Sequence, residues 1–268
     1  MAHKEGEVLF REERQARILK ILERDGRAGV GSLSQLFEVS EDTIRRDLRD
    51  LESRGLIRKT HGGALPQVAA ALPYEARLQE VPLVKQAIGR RAAELIVEGD
   101  SVIIDSGTTT LSLAEVLNVH NVRVLTNSLE IARVIATKPR CELIVLGGRY
   151  DPVHHELVGP TTVEQLGRYR VDKLFMGLTA IDPKHGITDD SEADAMVKRA
   201  MIEVAGKVIT VADHTKLNRM AFSKVAPADV IHTMVTDERA HCAPFAQFGW
   251  EVITVPIPAD SGQGERLH

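Results

Sequence analysis

Two groups of residues in this chain have types and spacings that could do chemistry. The first is cationic: Thr43, Arg45, Arg46 and Arg49 recur at helical spacing, and Arg58, Lys59 and His61 follow shortly after. Guanidinium groups displayed along one helix, with a basic hairpin behind it, suit the major groove and flanking phosphates of duplex DNA. The second group is the run Asp105-Ser106-Gly107-Thr108-Thr109-Thr110. A glycine for a tight turn, then hydroxyls and amides at a helix N-terminus, favours an anion. The run is neither a Walker A nor a GxGxxG sequence, so a nucleotide is not indicated. Each group has a plainer reading: a solvated helix face with i,i+4 pairs for the arginines, and an ordinary helix cap for the threonines.

The arginines need a helix to carry them. Ser40 is a good N-cap, and Ile44, Leu48 and Leu51 fall on one apolar stripe of a 3.6-residue period. Thr43, Arg45, Arg46 and Arg49 lie off that stripe and face outward. Gly55 stops the helix, and Leu56 to His61 lead into Gly62-Gly63 as a hairpin. Upstream, Arg14 to Arg24 carries Ile18, Leu19, Ile21 and Leu22, and Asp25-Gly26 ends it. A short helix over Ser32 to Phe37 and a turn at Glu38-Val39 complete the order of a winged helix-turn-helix.

Charge is distributed to match. The chain has formal net charge −4, with 34 Lys+Arg against 38 Asp+Glu, so it is no bulk polyanion binder. Residues 1–65 hold 13 Lys+Arg and 12 Asp+Glu, a net of +1, which leaves −5 for the remainder. From Arg45 to Gly63 six cations face three acids, concentrating positive charge on the element that would touch phosphate. At 268 residues and 43% hydrophobic content, the chain can hold this small domain and one of ordinary size. No apolar run reaches the ~18–20 residues of a spanning helix, the N-terminus lacks a secretory h-region, and Cys141 and Cys242 form no framework. A cytoplasmic location is expected.

The Asp105 loop belongs to a different pattern. After Gly99-Asp100, apolar runs at Ser101–Ile104, Val122–Leu125, Leu143–Leu146, Leu174–Met176, Val208–Val211 and Met234–Val235 alternate with helical stretches, with an extra strand expected at Glu251–Val255. Uniformly apolar strands between helices predict a Rossmann-like, mostly parallel α/β sheet covered on both faces. The runs end at Asp105, Thr126-Asn127, Gly147-Gly148, Gly177, Asp213 and Thr236-Asp237. Ligands of open α/β sheets bind outside the carboxyl ends of the strands, so these endings in register predict a site.

The stretch VSEDTIRRDLRDLESRGLIRKTHGGA (39–64) resembles the signature of the DeoR family of bacterial transcriptional regulators. The C-terminal part resembles the DeoR sensor domain through DSGTTT, LTN, LGG, VGP, GIT, the Glu192…Lys198 pair, ADHTK and VTD, so the likeness covers about residues 11–240. It implies that Ser40, Thr43, Arg45, Arg46 and Arg49 face DNA and that Arg58, Lys59 and His61 belong to the wing. It also implies a sensor similar to the sugar-phosphate isomerase fold. There Asp105, Gly107, Thr108, Thr109 and Thr110 would hold the phosphate of a sugar phosphate, and Asn127, Gly148, Glu192, Lys198, Asp213 and Lys216 would line the rest. Of the two lysines, Lys198 could equally pair on a helix surface with Asp194.

The resulting expectation is a winged helix-turn-helix domain at 1–63, a connector at 64–84, a sensor domain at 85–258 and a disordered tail at 259–268. The function expected is an operator-binding repressor of a sugar or polyol operon, acting as a homo-oligomer (dimer or tetramer) and answering to a phosphorylated sugar or polyol. The alternatives are an isomerase-like enzyme and a constitutive DNA-binding protein with a vestigial pocket. No cofactor, metal or membrane is expected. Asp-Pro-Val-His-His-Glu (151–156) has no spacing known to close a metal site and reads as a solvated loop, as does His241-Cys242.

Overall fold

The computed structural model describes residues 11–25, 28–53, 57–60, 62–66 and 74–257. The chain divides into two compact units, Met1–Ala70 and Ala71–His268.

The first unit contains α1 (Arg11–Asp25), β1 (Ala28–Gly29), α2 (Val30–Phe37), α3 (Glu41–Ser53), β2 (Ile57–Thr60) and β3 (Gly63–Pro66). The apolar stripe works as expected: Ile44, Leu48 and Leu51 of α3 pack with Ile18, Leu22, Leu33 and Ile57 in one core, and all are buried. Glu38 takes a left-handed conformation (φ 53°) that ends α2 and makes the turn tight. Ser40 then caps α3, accepting from the Thr43 amide at 3.2 Å. The wing has an unexpected third strand. Two-residue β1 pairs with β3, which pairs with β2, both antiparallel. A charge also ties the helices together: buried Asp47 of α3 accepts from Arg14 Nε of α1 at 2.6 Å.

The second unit begins with α4 (Tyr74–Gln79) and α5 (Pro82–Ala93). Structured elements thus occupy much of the stretch expected to be a connector. Pro82 opens α5, where its missing N–H would have had no helical partner anyway. The stretch 67–73 and the expected disordered tail, 259–268, lie outside the described residues.

The elements that follow are β4 (Ser101–Ile104), α6 (Thr108–Val116), β5 (Val122–Thr126), α7 (Leu129–Ile135), β6 (Cys141–Val145), β7 (Arg149–Asp151), β8 (Glu156–Val158), α8 (Pro160–Leu166) and β9 (Val171–Gly177). After them come β10 (Ala180–Asp182), β11 (Gly186–Asp189), α9 (Glu192–Val204), β12 (Ala205–Val211), β13 (Ser223–Ala226), β14 (Thr233–Asp237) and β15 (Glu251–Val255). Seven strands form one parallel sheet in the order β15-β14-β12-β9-β4-β5-β6. All seven expected strands are present, the one at Glu251–Val255 included. Alternate strand residues feed two cores. Val102, Ile104, Val124 and Phe175 join α5, α6 and α7 on one face, while Ile103, Leu125, Leu174 and Met176 join α8 and α9 on the other.

Strand order reverses direction between β4 and β9. The chain leaves β4 toward β5 and β6, and then crosses to β9 on the other side. Such a switch point opens a crevice at the carboxyl ends of the two strands. Two small antiparallel sheets, β7-β8 and β10-β11-β13, were not anticipated. The first carries residues to that crevice.

Asp47→Ala removes the buried carboxylate that accepts from Arg14 Nε and joins α3 to α1, a change worth about 3–5 kcal/mol. The expected outcome is early melting of the helix-turn-helix unit with the second unit unaffected, read by proteolysis and calorimetry. A single unchanged transition would count against that role for the pair.

Candidate functional site

On α3, the residues expected to face DNA divide by what they touch. Arg45 is held by first-turn acids, Nη2 to Glu41 at 2.6 Å and Nη1 to Asp42 at 3.1 Å. The plainer reading, i,i+4 pairing, therefore holds for this side chain in the unbound chain. Arg49 donates from Nε to the Arg45 carbonyl at 3.2 Å. Arg46 is exposed, and its guanidinium makes no hydrogen bond or ion pair with a described residue. Ser40 and Thr43 are joined by their hydroxyls, 2.9 Å apart, within the cap. Arg58 and Lys59 lie on β2, and the Lys59 amide donates to Glu52 at 3.1 Å. His61 lies outside the described residues.

At the switch point, Asp105 continues β4 by one residue. Its amide donates to Phe175 O (3.0 Å), and its Oδ2 accepts from the Gly177 amide (3.1 Å), so it bridges the two diverging strands. Gly107 has φ 139°, a conformation that L side chains rarely adopt, and it turns the chain sharply into α6. No side chain caps that helix. The first-turn amides over Thr108, Thr109 and Thr110 therefore have no intrahelical acceptor and face the loop. Thr110 Oγ1 donates to Gly107 O at 2.9 Å, holding the turn.

Around Asp105 lies a buried charged cluster. Lys198 of α9 is only 4% exposed; its Nζ sits 2.6 Å from Asp194, 2.8 Å from Asp189 and 3.9 Å from Asp105. The pairing with Asp194 is present, but in the interior rather than on a helix surface. Glu156, at the start of β8, takes hydrogen bonds from Ser106 Oγ and, at 3.4 Å, from Asn127 Nδ2. Asn127 Nδ2 also donates to Leu157 O at 3.2 Å. One oxygen on each of Asp105, Asn127, Glu156 and Asp194 has no hydrogen-bond partner among the described residues.

The electrostatics follow from crowding in a dry site. Burial pushes the Asp105 carboxyl up to about 7 against the pull of Lys198. Burial, with Asp189 and Glu156 nearby, lifts Asp194 well above the usual carboxylate range. Burial acts on Asp189 in the same sense, yet Lys198 and its hydrogen bonds bring it below that range. Burial alone would lower the Lys198 ammonium, but the surrounding carboxylates hold it well above its ordinary value. Asp189 is thus the carboxylate held most firmly in its charged form, while Asp105 and Asp194 take up protons more readily than ordinary carboxylates.

The other expected pocket residues are placed differently. Glu192 is exposed on the first turn of α9, bonded to Ser223 and, at 2.9 Å, to Arg199, outside the buried cluster. Gly148 is a packing position, since a Cβ there would meet Thr162 Oγ1 at 2.2 Å and Val158 O at 2.8 Å. Asp213 caps a short 3-10 turn by accepting from the Thr215 amide at 2.9 Å. Lys216 ends that turn, half-buried, and its ammonium makes no hydrogen bond or ion pair with a described residue. Near it lies a cation that the sequence reading passed over. Lys85 of α5 is buried, donates to Arg77 O, and is pushed down to about 8 by burial, with Asp213 opposing and Lys216 adding to the effect.

Residues 14–67 match the DeoR-like helix-turn-helix domain, and residues 82–238 match the DeoR C terminal sensor domain. The chain belongs to the DeoR family. Like its family, it is a DNA-binding transcriptional regulator rather than an enzyme. It is similar to the HTH-type transcriptional repressor GlcR of Bacillus subtilis (strain 168), 40% identical over 250 residues, covering 91% of this chain and 96% of that protein. It is also similar to the glycerol-3-phosphate regulon repressor of Escherichia coli (strain K12), 31% identical over 227 residues, covering 84% of this chain and 90% of that protein. Ribose 5-phosphate isomerase A of Methanocaldococcus jannaschii aligns with a TM-score of 0.36 at 16% identity, over 51% of this chain and 54% of that one, too distant to assign any residue a role. Among the described residues, no helix is long and apolar enough to cross a membrane.

Within this DeoR sensor domain, Lys198→Met leaves Asp189 buried without its counter-charge. Urea unfolding of the variant is expected to show a loss of about 3–5 kcal/mol, and Asp189→Asn in the same chain should recover part of it. An unchanged midpoint in the single variant would mean that the cluster is neutralised by protons alone.

Proposed function

We propose that this regulator is a repressor whose operator affinity falls when a phosphorylated sugar or polyol occupies the Asp105–Thr110 loop. The observation that carries this reading is the uncapped N-terminus of α6, which lies beside buried carboxylates with spare acceptor oxygens at the sheet's switch point. The two halves suit opposite ends of one ligand. A phosphate dianion is stabilised by first-turn amides, threonine hydroxyls and the positive end of the helix dipole. It would be repelled by the carboxylates, which have acceptors to offer and so match sugar hydroxyls, which are donors. Lys216 and Lys85, which lie close to Asp213 at the end of β12, would add cationic charge at the carboxyl ends of the strands. That one similar protein is named for a glycerol-3-phosphate regulon supports the ligand class.

The DNA half of the proposal assigns base and phosphate contacts to Thr43, Arg45, Arg46 and Arg49, with Arg58, Lys59 and His61 on the wing. One such unit reads only a few base pairs, so specific affinity calls for a homo-oligomer on half-sites ~34–36 Å apart or a multiple of that. Arg45 must exchange Glu41 and Asp42 for phosphate or base. Those acids therefore lower non-specific affinity and favour sites with well-placed acceptors.

Two measurements test the halves separately. Arg45→Ala with Arg46→Ala should weaken the operator gel shift and flatten the slope of log K against log [salt] by about two, while calorimetry still detects the effector. Thr109→Asp places a carboxylate where the phosphate would sit. The variant should bind operator normally yet resist release by the sugar phosphate that weakens wild-type binding ~5- to 150-fold. If no member of a sugar-phosphate panel changes wild-type operator affinity, the sensor reading is wrong.

A further inference from the structure

The turn between β7 and β8 carries Asp151, His154 and Glu156, and it is not the solvated loop that its composition suggested. His154 is 7% exposed and Glu156 is fully buried. Their geometry is unusual for a hydrogen-bonded histidine. Among the described residues, His154 Nδ1 has no hydrogen-bond partner, and neither does Glu156 Oε1. Nδ1 lies 3.8 Å from Asp151 Oδ1 and 4.0 Å from Glu156 Oε1. Direct N–H···O bonds need about 2.7–3.2 Å, so both gaps are too wide to close. On the far side of the ring, Nε2 sits 3.4 Å from Asp190 Oδ1, itself without a hydrogen-bond partner among the described residues.

An imidazolium acting as a simple counter-ion fits poorly. It would carry a second N–H at Nδ1 that no described residue accepts, the Asp151 carboxylate being 3.8 Å away, a buried donor left unsatisfied. An ion in the gap resolves this. Two donors that each bind one metal at about 2.0–2.2 Å are separated by roughly 3–4 Å, depending on the angle between them. Ligand atoms of Asp151, His154 and Glu156 all lie within 4.8 Å of one another.

We propose that Asp151, His154 and Glu156 bind a divalent transition-metal ion, with His154 ligating through Nδ1. One imidazole and two carboxylates form a mixed N/O set suited to Zn2+, Mn2+ or Co2+. The nitrogen donor disfavours Ca2+ and Mg2+, and the lack of thiolate disfavours soft ions. Asp190 stands 3.4 Å from Nε2, where a small closure on metal binding would let it act as an outer-shell carboxylate, accept from Nε2–H and fix the tautomer that points the Nδ1 lone pair at the ion. The charge also comes into balance, because a dication offsets carboxylates that one histidine does not. Glu156 connects this site to the loop, since its other oxygen accepts from Ser106 and Asn127. Occupancy would hold Ser106, and with it the entry to α6. The site stands whether or not a sugar phosphate is the effector.

The test uses the full chain with Co2+ or Zn2+ alone, without DNA or sugar phosphate. Equilibrium dialysis and ligand-field absorption should show one Co2+ per chain, displaced by Zn2+. His154→Ala and Glu156→Gln should lose it, and Asp190→Asn should weaken it about 10–100-fold. His185→Ala, on an exposed turn, should leave binding unchanged. Should the ligand variants fail to fold, the wild-type chain decides by nitrogen NMR, in which Zn2+ must shift the His154 Nδ1 resonance. No saturable Co2+ binding, unchanged binding in His154→Ala, or an unmoved Nδ1 resonance would each assign the gap to a water and overturn the proposal.

Discussion

Four carboxylates, Asp105, Glu156, Asp189 and Asp194, come together in the interior of the sensor domain around a single ammonium, Lys198. Removing several like charges from water is costly, and the protein relieves the cost unevenly. Asp189 takes most of the compensation: the Lys198 ammonium, the Thr179 hydroxyl at 2.9 Å and the Ser191 amide at 3.1 Å. The others each keep one oxygen engaged and one spare. This uneven settlement fixes where α9 can lie relative to β4 and β11. It also leaves acceptor capacity at one place, the crevice where the sheet changes direction.

The topology makes such a concentration possible. Asp105 lies at the end of β4, Asp189 at the end of β11, Asp194 and Lys198 on α9, and Glu156 at the start of β8. A parallel sheet sends every strand's carboxyl end to the same edge. The crossover from β6 to β9 then has to pass over that edge, and the β7-β8 hairpin is part of it. Backbone pairing secures the hairpin there, since the Leu157 amide donates to Asn127 O at 2.8 Å and Ser128 bridges Glu156. Glu156 thus reaches Ser106, fifty positions earlier, through main-chain geometry and not through side-chain reach alone.

How much of this could be read in advance depends on the range of the interactions involved. The helix-turn-helix was legible because its signals are local: a cap at Ser40, a stripe at Ile44, Leu48 and Leu51, a turn at Glu38. The seven sheet strands were legible because burial on both faces leaves uniformly apolar runs. Strand β1 was not, for two residues carry no periodicity. The same holds for β7-β8 and β10-β11-β13, short pairs whose polar faces look like loop. The Asp105 loop announced itself by its glycine and threonines. Glu156, by contrast, is one acid in a polar hexapeptide, and only long-range pairing brings it to that loop. Glu192 misled in the other direction: as a first-turn acid its carboxylate serves Ser223 and Arg199 at the surface, while Asp194, two positions on, turns inward.

The spare acceptors also set the scale of any response. Filling a buried, unsatisfied acceptor recovers on the order of 1–3 kcal/mol, and typical couplings between two sites are of the same size. A ligand can shift a conformational equilibrium only by its differential affinity for the two states. Two or three hydroxyls meeting Asp105, Asn127 and Asp194 would therefore be enough, provided that the second state presents those oxygens differently. On the proposed reading, the phosphate would contribute little to that difference, because a helix N-terminus is a preformed cradle. Discrimination between states would then reside in the carboxylate half of the site, where the Lys198 contacts and protonation must rearrange as each acceptor gains a donor. Affinity and switching are thereby assigned to different ends of the same ligand.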